Sequence, residues 1–203
     1  MHTEEKETGR LEAFSDGVFA IAMTLLALDL KVPHLGDRAS ASELALALAQ
    51  QWPSYLAFTT SFGTVLVMWV HHHGMFRLIR KVTSGFLFAN GFLLLLVTVV
   101  PFPTALISAY FGKPGSAVAS AVYAGTFVAI SIAFNLLWRV AAHERALLRS
   151  DAPEHLVRAI TRSYLLGVPL YLVATVSAFY NEYVSIGICS GLWIFWAVIT
   201  RNK

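Results

Sequence analysis

The sequence predicts an all-α integral membrane protein with six transmembrane helices. Of its 203 residues, 57% are hydrophobic and 13% are charged, whereas a soluble globular domain usually carries about 25% charged residues. The mean hydropathy is +0.63, and apolar runs alternate with short polar turns along the whole chain. The length fits a single domain, residues 1–203. Its spans are predicted at approximately 14–31, 54–74, 82–111, 116–138, 160–180 and 183–200.

The first span is unusually short between its charged ends. Only twelve uncharged residues, 17–28, separate Asp16 from Asp29, and a lone lipid-facing helix needs about 20 apolar residues to cross the hydrocarbon core. A carboxylate near the membrane interior is costly unless it faces protein or water. We therefore expect this helix to lie inside a bundle, with its acidic ends satisfied by neighbouring side chains or by solvent.

One face of the first span is apolar and carries a single hydroxyl group. At about 100° per residue, Asp16 projects from roughly the opposite side of the helix. This spacing fits a stripe that packs on neighbouring helices, and it also fits the lining of a pore. The residues that share the face are Phe14, Gly17, Val18, Ile21, Thr24, Leu25 and Leu28.

Later segments contain several local signals. Residues 39–51 have a mildly amphipathic pattern, which predicts a helix that either lies against the outer interface or extends the second span. Trp52 is expected to be an interfacial anchor. The third span is uncharged, and Pro101 and Pro103 are expected to kink or break it near its outer third. The single cysteine, Cys189, excludes an intramolecular disulfide.

The distribution of Lys and Arg predicts that both termini lie in the cytoplasm. The polar, partly acidic N-terminus is unlike a signal peptide, so the first span is expected to be retained. With the N-terminus inside, twelve basic residues fall on the inner side and three on the outer side, which the positive-inside rule favours. We therefore predict a multi-pass protein of the cell membrane. The inner residues are Lys6, Arg10, Arg77, Arg80, Lys81, Arg139, Arg145, Arg149, Arg158, Arg162, Arg201 and Lys203, and the outer ones are Lys31, Arg38 and Lys113.

The sequence contains no enzyme or metal-binding signature. His71, His72 and His73 are consecutive, so on a helix they point about 100° apart and cannot converge on one ion. His143-Glu144 lacks the second histidine of the zinc protease motif. Nucleophile, phosphate-loop and haem-attachment motifs are also absent, and we expect neither enzyme activity nor a cofactor. Because the basic residues lie between spans, we expect no nucleic-acid partner.

Two motifs resemble a known family of ion channels. The first span begins with Arg-x-x-x-Phe-Ser-Asp, and the second ends with Trp-x-x-His-His. In this order and spacing they resemble the first two helices of the endolysosomal potassium channel family called transmembrane protein 175, in particular its short bacterial homologues. The residues that carry the resemblance are Arg10, Phe14, Ser15, Asp16, Ala20, Ile21, Thr24, Leu25 and Leu26, followed by Trp69, His72, His73, Phe76 and Arg77.

The resemblance implies a potassium-permeable channel in which the first span lines a central pore. It puts Ile21, Leu25 and Leu28 at an apolar constriction, and it makes Thr24 a pore-facing residue. The sequence lacks the Thr-Val-Gly-Tyr-Gly carbonyl filter of ordinary potassium channels, so any selectivity must come from side chains. Animal members carry two such repeats per chain and are thought to act as dimers. A single-repeat chain is then expected to be a homotetramer, with monovalent cations and the lipid bilayer as its other partners.

A polar latch beside the pore is the second implication of the resemblance. From the residues themselves, Asp16 is expected to pair with Arg10 or His72 and so to lock the first span against the second. Phe19 and Met23 are larger than the family resemblance leads us to expect, and they lie off the predicted pore face. The latch residues are Arg10, Phe14, Ser15, Asp16, Trp69 and His72.

Two other functions remain open from the sequence. A secondary transporter or proton-coupled carrier needs a substrate site near mid-membrane and usually has broken helices. The prolines of the third span, together with Asn90 and Asn135, are its only support. A non-conducting membrane scaffold needs only the polar latch. Saturable flux that depends on a proton gradient favours the carrier, whereas unitary currents favour the channel.

Overall fold

The computed structural model describes residues 2–36, 39–143 and 147–201, and these residues form a bundle of α-helices. Arg38, Glu144, Arg145 and Lys203, which enter the predictions above, lie outside the described residues. In chain order the helices of the described part are α1 (His2–Leu25), α2 (Ala41–Gln50), α3 (Trp52–Phe76), α4 (Ser84–Val99), α5 (Pro101–Tyr110), α6 (Ser116–His143), α7 (Glu154–Ser177) and α8 (Glu182–Arg201).

Six helical segments of the described chain are long and apolar enough to cross a membrane, as predicted. The third of them, Ser84–Tyr110, consists of α4 and α5 together. Several helices extend beyond the predicted spans, because α1 begins at His2, α6 continues to His143 and α7 begins at Glu154. Hydropathy marks only the apolar part of a helix, whereas backbone hydrogen bonding continues the helix into the aqueous phase.

The third span is broken where the prolines predict a break. α4 ends at Val99, and Pro101 lies in the first turn of α5, where proline's missing N–H is tolerated. Both the N–H and the hydroxyl of Thr104 donate to the Val100 carbonyl, at 3.2 and 2.8 Å. These hydrogen bonds tie the start of α5 to the break. Pro169, in contrast, lies inside α7 without ending it.

α6 is the central helix and packs against α4, α5, α7 and α8. Its buried side chains include Tyr123, Phe127 and Trp138. The Tyr123 hydroxyl and the Ser61 hydroxyl of α3 are hydrogen-bonded at 3.0 Å, and the Trp138 indole donates to Thr161 of α7 at 2.8 Å. Within a bilayer, water cannot satisfy such groups, so these hydrogen bonds help to fix the helices around α6.

α2 confirms the short helix predicted at residues 39–51. The Ser40 hydroxyl accepts from the Glu43 N–H at 3.2 Å, and the Ser40 N–H donates to the Glu43 carboxylate at 2.7 Å. The hydrogen bonds from the Ser40 backbone and hydroxyl lower the pKa of Glu43 below its ordinary value. No residue of α2 is buried, so this helix lies on the outside of the protomer.

Candidate pore-lining face and latch

α1 carries an apolar face that no other described element of the protomer covers. The exposed fractions of Ile21, Leu25 and Leu28 are 58%, 40% and 67%, and Phe14 is 63% exposed. Thr24 lies on the same face and is also exposed. The helical periodicity of the sequence predicts this face. Val18, predicted to share it, is instead partly buried and packs against the core.

The opposite side of α1 packs against α3 and α4. Phe19, Ala22 and Leu26 are at most 1% exposed there. The Phe19 ring lies 5.3 Å from the His72 ring, centre to centre, and Met23 packs partly buried against the core. Phe19 and Met23 therefore contribute to packing and do not belong to the uncovered face, as predicted.

The backbone geometry changes at the end of α1. The α-helix ends at Leu25, and the chain continues as a 3₁₀ turn over Leu26–Asp29, in which successive residues are about 120° apart instead of about 100°. The Leu28 side chain remains exposed despite this change. The Lys31 ammonium group donates to the Leu28 carbonyl at 2.8 Å and so satisfies an acceptor at the end of the helix.

Thr24 offers an oxygen ligand on an otherwise apolar surface. Its hydroxyl donates to the Ile21 carbonyl at 2.9 Å, so its hydrogen is engaged by the backbone of the same helix. A hydroxyl oxygen has two acceptor lone pairs, which this arrangement leaves available to a cation. The neighbouring Ile21 and Leu25 side chains have no polar atom to offer.

Asp16 is held by an indole and not by a cation. Its carboxylate accepts a hydrogen bond of 2.8 Å from the Trp69 Nε1–H of α3. The predicted pairing of Asp16 with Arg10 or His72 is wrong. Arg10 is exposed and forms no ion pair with a described carboxylate, and His72 is fully buried one turn further along α3. A neutral indole N–H can donate to the carboxylate, and unlike a cationic partner it does not require a second charged group to lose its hydration.

Ser15 and His72 are joined through Asn90 of α4, and all three side chains are buried. The Asn90 amide group donates to Ser15 Oγ at 3.0 Å, and its carbonyl oxygen lies 2.8 Å from His72 Nε2. Since that oxygen can only accept, His72 Nε2 must be the donor. The Ser15 hydroxyl then donates to the Leu11 carbonyl at 2.8 Å. This chain of hydrogen bonds joins α1, α4 and α3.

The three consecutive histidines make contacts in three different directions, as their helical spacing predicts. The His71 ring lies 6.0 Å from Tyr164 of α7, and His72 faces α4. His73 Nδ1 lies 2.9 Å from the Glu12 carboxylate of α1, a contact that the sequence did not reveal. No group of three or more His, Cys, Asp or Glu side chains within the described part of the chain is arranged to hold a metal ion.

Arg10 and Phe14 take no part in these hydrogen bonds. Both side chains are exposed on the surface of the protomer, and Phe14 lies at the same side of α1 as Ile21. Their place in the latch therefore stays a prediction. The observed anchors of α1 are Asp16 on Trp69, Ser15 on Asn90 and Glu12 on His73, and all of them leave the apolar face uncovered.

The two asparagines that support a carrier in the sequence, Asn90 and Asn135, have structural roles in this fold. The Asn135 amide donates to the carbonyls of Ser131 at 2.9 Å and Tyr164 at 2.7 Å, so Asn135 joins α6 to α7, as Asn90 joins α4 to its neighbours. An apolar cavity between α3, α6, α7 and α8 measures only about 60 Å³. Small-molecule sites usually enclose about 300–1,000 Å³, and this cavity is much smaller.

Six helices that are long and apolar enough to cross a membrane make this an α-helical membrane protein of the multi-pass class. The sequence profile of the family described as endosomal/lysosomal potassium channel TMEM175 matches residues 10–101. A potassium channel from Chamaesiphon minutus is 51% identical over 195 residues, which cover 96% of both chains. The chain belongs to the TMEM175 family, whose members are ion channels and not enzymes.

Structural comparison agrees with the sequence comparison. The crystal structure of a lysosomal potassium-selective channel TMEM175 homologue from Chamaesiphon minutus superposes with a TM-score of 0.87 at 49% identity, and the match covers 97% of this chain and 99% of that one. The human relative, named endosomal/lysosomal proton channel TMEM175, is 33% identical over 143 residues, or 68% of this chain and 28% of the human protein.

Proposed function

We propose that the protein is a potassium-permeable cation channel in which four identical subunits surround a pore lined by α1. The observation that carries this proposal is the uncovered face of Ile21, Leu25 and Leu28. One helix cannot enclose a pore, whereas several copies around a symmetry axis can, and closed cyclic symmetry is usual for homo-oligomers. The bacterial relatives that are named as potassium channels support potassium as the permeant ion.

The uncovered face forms three stacked rings in such a tetramer. Ile21 and Leu25 are separated by about 6 Å along the α-helix, and Leu25 and Leu28 by a similar rise along the 3₁₀ turn, which gives a constriction about 12 Å long. An apolar ring gates by dewetting or forces an ion to shed part of its hydration shell. Potassium sheds water more readily than sodium, so a narrow ring favours potassium, and Thr24 oxygens coordinate the partly dehydrated ion.

The latch sets which face of α1 lines the pore. A rotation of α1 by one residue, about 100°, would turn Ile21 away from the axis. The hydrogen bonds of Asp16 to Trp69 and of Ser15 to Asn90 hold the opposite side of α1 against α3 and α4. They oppose that rotation, and the predicted role of Arg10 and Phe14 is to support them at the entrance of the pore.

Both termini are assigned to the cytoplasm, and the protein to the cell membrane. The positive-inside count supports this orientation. The Thr8 hydroxyl of α1 donates to the Arg80 carbonyl at 3.3 Å, so the N-terminal end of the first span and the loop after the second span share one side. That side carries most of the basic residues, whereas Lys113 lies in the turn between α5 and α6 on the other side.

The test is ion flux into liposomes that contain the purified protein, compared between wild type, Ile21→Asn and Ile194→Asn. Ile194 of α8 is a matched control because it is 52% exposed and receives the same substitution. We expect wild type to conduct potassium faster than sodium, Ile21→Asn to conduct with reduced selectivity, and Ile194→Asn to behave as wild type. A folded tetramer without flux, or flux that saturates and follows a proton gradient, would contradict the channel.

A further inference from the structure

We propose that Arg77, Arg149 and Arg158 form a binding site for the phosphate group of an anionic membrane lipid. The site lies on the side of the bundle that carries the N-terminus, at the ends of α3 and α7. It is separate from the proposed pore, because its residues come from the loops after α3 and α6 and from the start of α7, while the pore face belongs to α1.

A pair of hydrogen-bonded loops gives the site a fixed frame. The loop after α3 and the loop after α6 form a short antiparallel bridge between Ile79 and Leu148. The Arg149 N–H donates to the Leu78 carbonyl at 2.9 Å, and the Arg80 N–H donates to the Leu147 carbonyl at 2.8 Å. The bridge residues Ile79 and Leu148 and the adjacent Leu147 are buried, so these two loops are part of the packed structure.

Two neighbouring cavities bring the three arginines together. One, of about 310 Å³, is lined by Arg77, Arg149 and Asp151 among others, and the second, of about 290 Å³, by Arg149, Glu154 and Arg158 among others. Arg149 and Ala152 border both cavities. Guanidinium groups bind phosphate oxygens through paired N–H donors, and Arg149 lies between Arg77 of one cavity and Arg158 of the other.

The charges around the depression are strongly unbalanced. Residues 77–81 and 147–162 contain six Lys and Arg residues against two carboxylates, Asp151 and Glu154. Neither Arg77 nor Arg149 forms an ion pair with a carboxylate of the described residues. Arg158 lies 3.6 Å from Glu154, but both side chains are about two-thirds exposed, and exposed pairs of this kind are weak. A phosphate group can therefore compete for Arg158.

The position of the arginines fits a lipid headgroup and not only a soluble anion. Arg77 directly follows the last residue of the membrane-spanning α3, and Arg158 lies one turn before Arg162 on α7. The next turn of α7 exposes Leu165 and Leu166, which offer an apolar surface to acyl chains beside the headgroup. With the orientation proposed above, the site faces the cytoplasmic leaflet, where anionic lipids attract basic residues.

The test is native mass spectrometry of the purified full-length protein with dioctanoyl phosphatidylglycerol or dioctanoyl phosphatidylcholine. We expect wild type to bind the anionic lipid at least tenfold more tightly, and Arg149→Gln/Arg158→Gln to lose this preference. The control Lys31→Gln/Lys113→Gln also removes two positive charges, but on the opposite side of the membrane. We expect this control to keep the preference for the anionic lipid. A double variant that binds the anionic lipid as wild type does would overturn the site.

Two further measurements identify the ligand and guard against misfolding. Millimolar inorganic phosphate is expected to leave lipid binding nearly unchanged, and its complete displacement of the lipid would overturn a lipid site in favour of a site for soluble anions. Arg149→Lys keeps the charge and loses the paired N–H geometry. This conservative variant is expected to bind the anionic lipid three- to tenfold more weakly, and an unchanged affinity in it would overturn the role of Arg149.

Discussion

Replacing Asn90 with alanine is expected to destabilise the fold and also to lower ion selectivity. The change removes two buried hydrogen bonds, one to Ser15 on α1 and one to His72 on α3. Interhelical hydrogen bonds in membrane proteins contribute about 0.6 kcal/mol on average and at most about 1.7 kcal/mol each. The free energy of unfolding should therefore fall by about 1–3 kcal/mol. Because α1 then loses one of the anchors that oppose its rotation, the potassium-to-sodium flux ratio should fall as well.

Asn135→Ala is the matched control for this prediction. Asn135 also donates two hydrogen bonds, one within α6 to the Ser131 carbonyl and one to the Tyr164 carbonyl of α7, away from α1. We expect a comparable loss of stability with an unchanged flux ratio. Thermal unfolding in detergent, followed by tryptophan fluorescence, measures the first quantity, and liposome flux measures the second. If Asn90→Ala is destabilised and yet fully selective, its hydrogen bonds do not set the position of α1, and the reasoning is wrong.

Three further substitutions test the anchor, the packing and the constriction. Hydrogen bonds to charged groups contribute about 1.5–3 kcal/mol, so a double-mutant cycle of Trp69→Phe and Asp16→Ala should give a coupling energy in that range, and additive effects would contradict the contact. A Cβ on Gly63 would lie 2.9 Å from the Trp193 ring, whereas one on Gly187 meets nothing within 4 Å. Gly63→Ala should therefore lower the free energy of unfolding by about 1–3 kcal/mol, and Gly187→Ala should not lower it. Equal stabilities of the two variants would refute this packing. Leu25→Ala should widen the middle ring and raise sodium flux relative to potassium, while Leu136→Ala, a change at a comparably exposed leucine of α6, should leave the ratio unchanged.

Features that depend on local periodicity or local chemistry could be predicted from the sequence. That Ile21 and Leu25 share one face of α1 follows from the rotation of about 100° per residue, which needs no knowledge of the neighbouring helices. Whether that face is covered depends on the packing and did not follow from the spacing. The break at Pro101 follows from the missing N–H of proline. The divergence of the three histidines follows from the same helical geometry, and the structure confirms it.

Features that depend on how one helix is shifted along another could not be predicted. Trp69 and His72 are three residues apart on α3 and face a similar direction, so only the relative height of α1 and α3 decides which of them meets Asp16. In the sequence, Asn90 is an isolated polar residue in an uncharged span, and its hydrogen-bond partners depend on the packing of α4. Glu12 meets His73 for the same tertiary reason.

The central claim, that the exposed face of α1 lines an ion pathway, is tested most directly by cysteine modification during current recording. Leu28→Cys is the best position because Leu28 is 67% exposed and lies at the end of the proposed constriction nearest the outer side, while the native Cys189 is buried. We expect a positively charged thiosulfonate reagent to block the potassium current through Leu28→Cys and to leave Ile194→Cys unaffected. An unblocked current in Leu28→Cys, with labelling of the cysteine verified by mass spectrometry, would contradict a pore lined by α1.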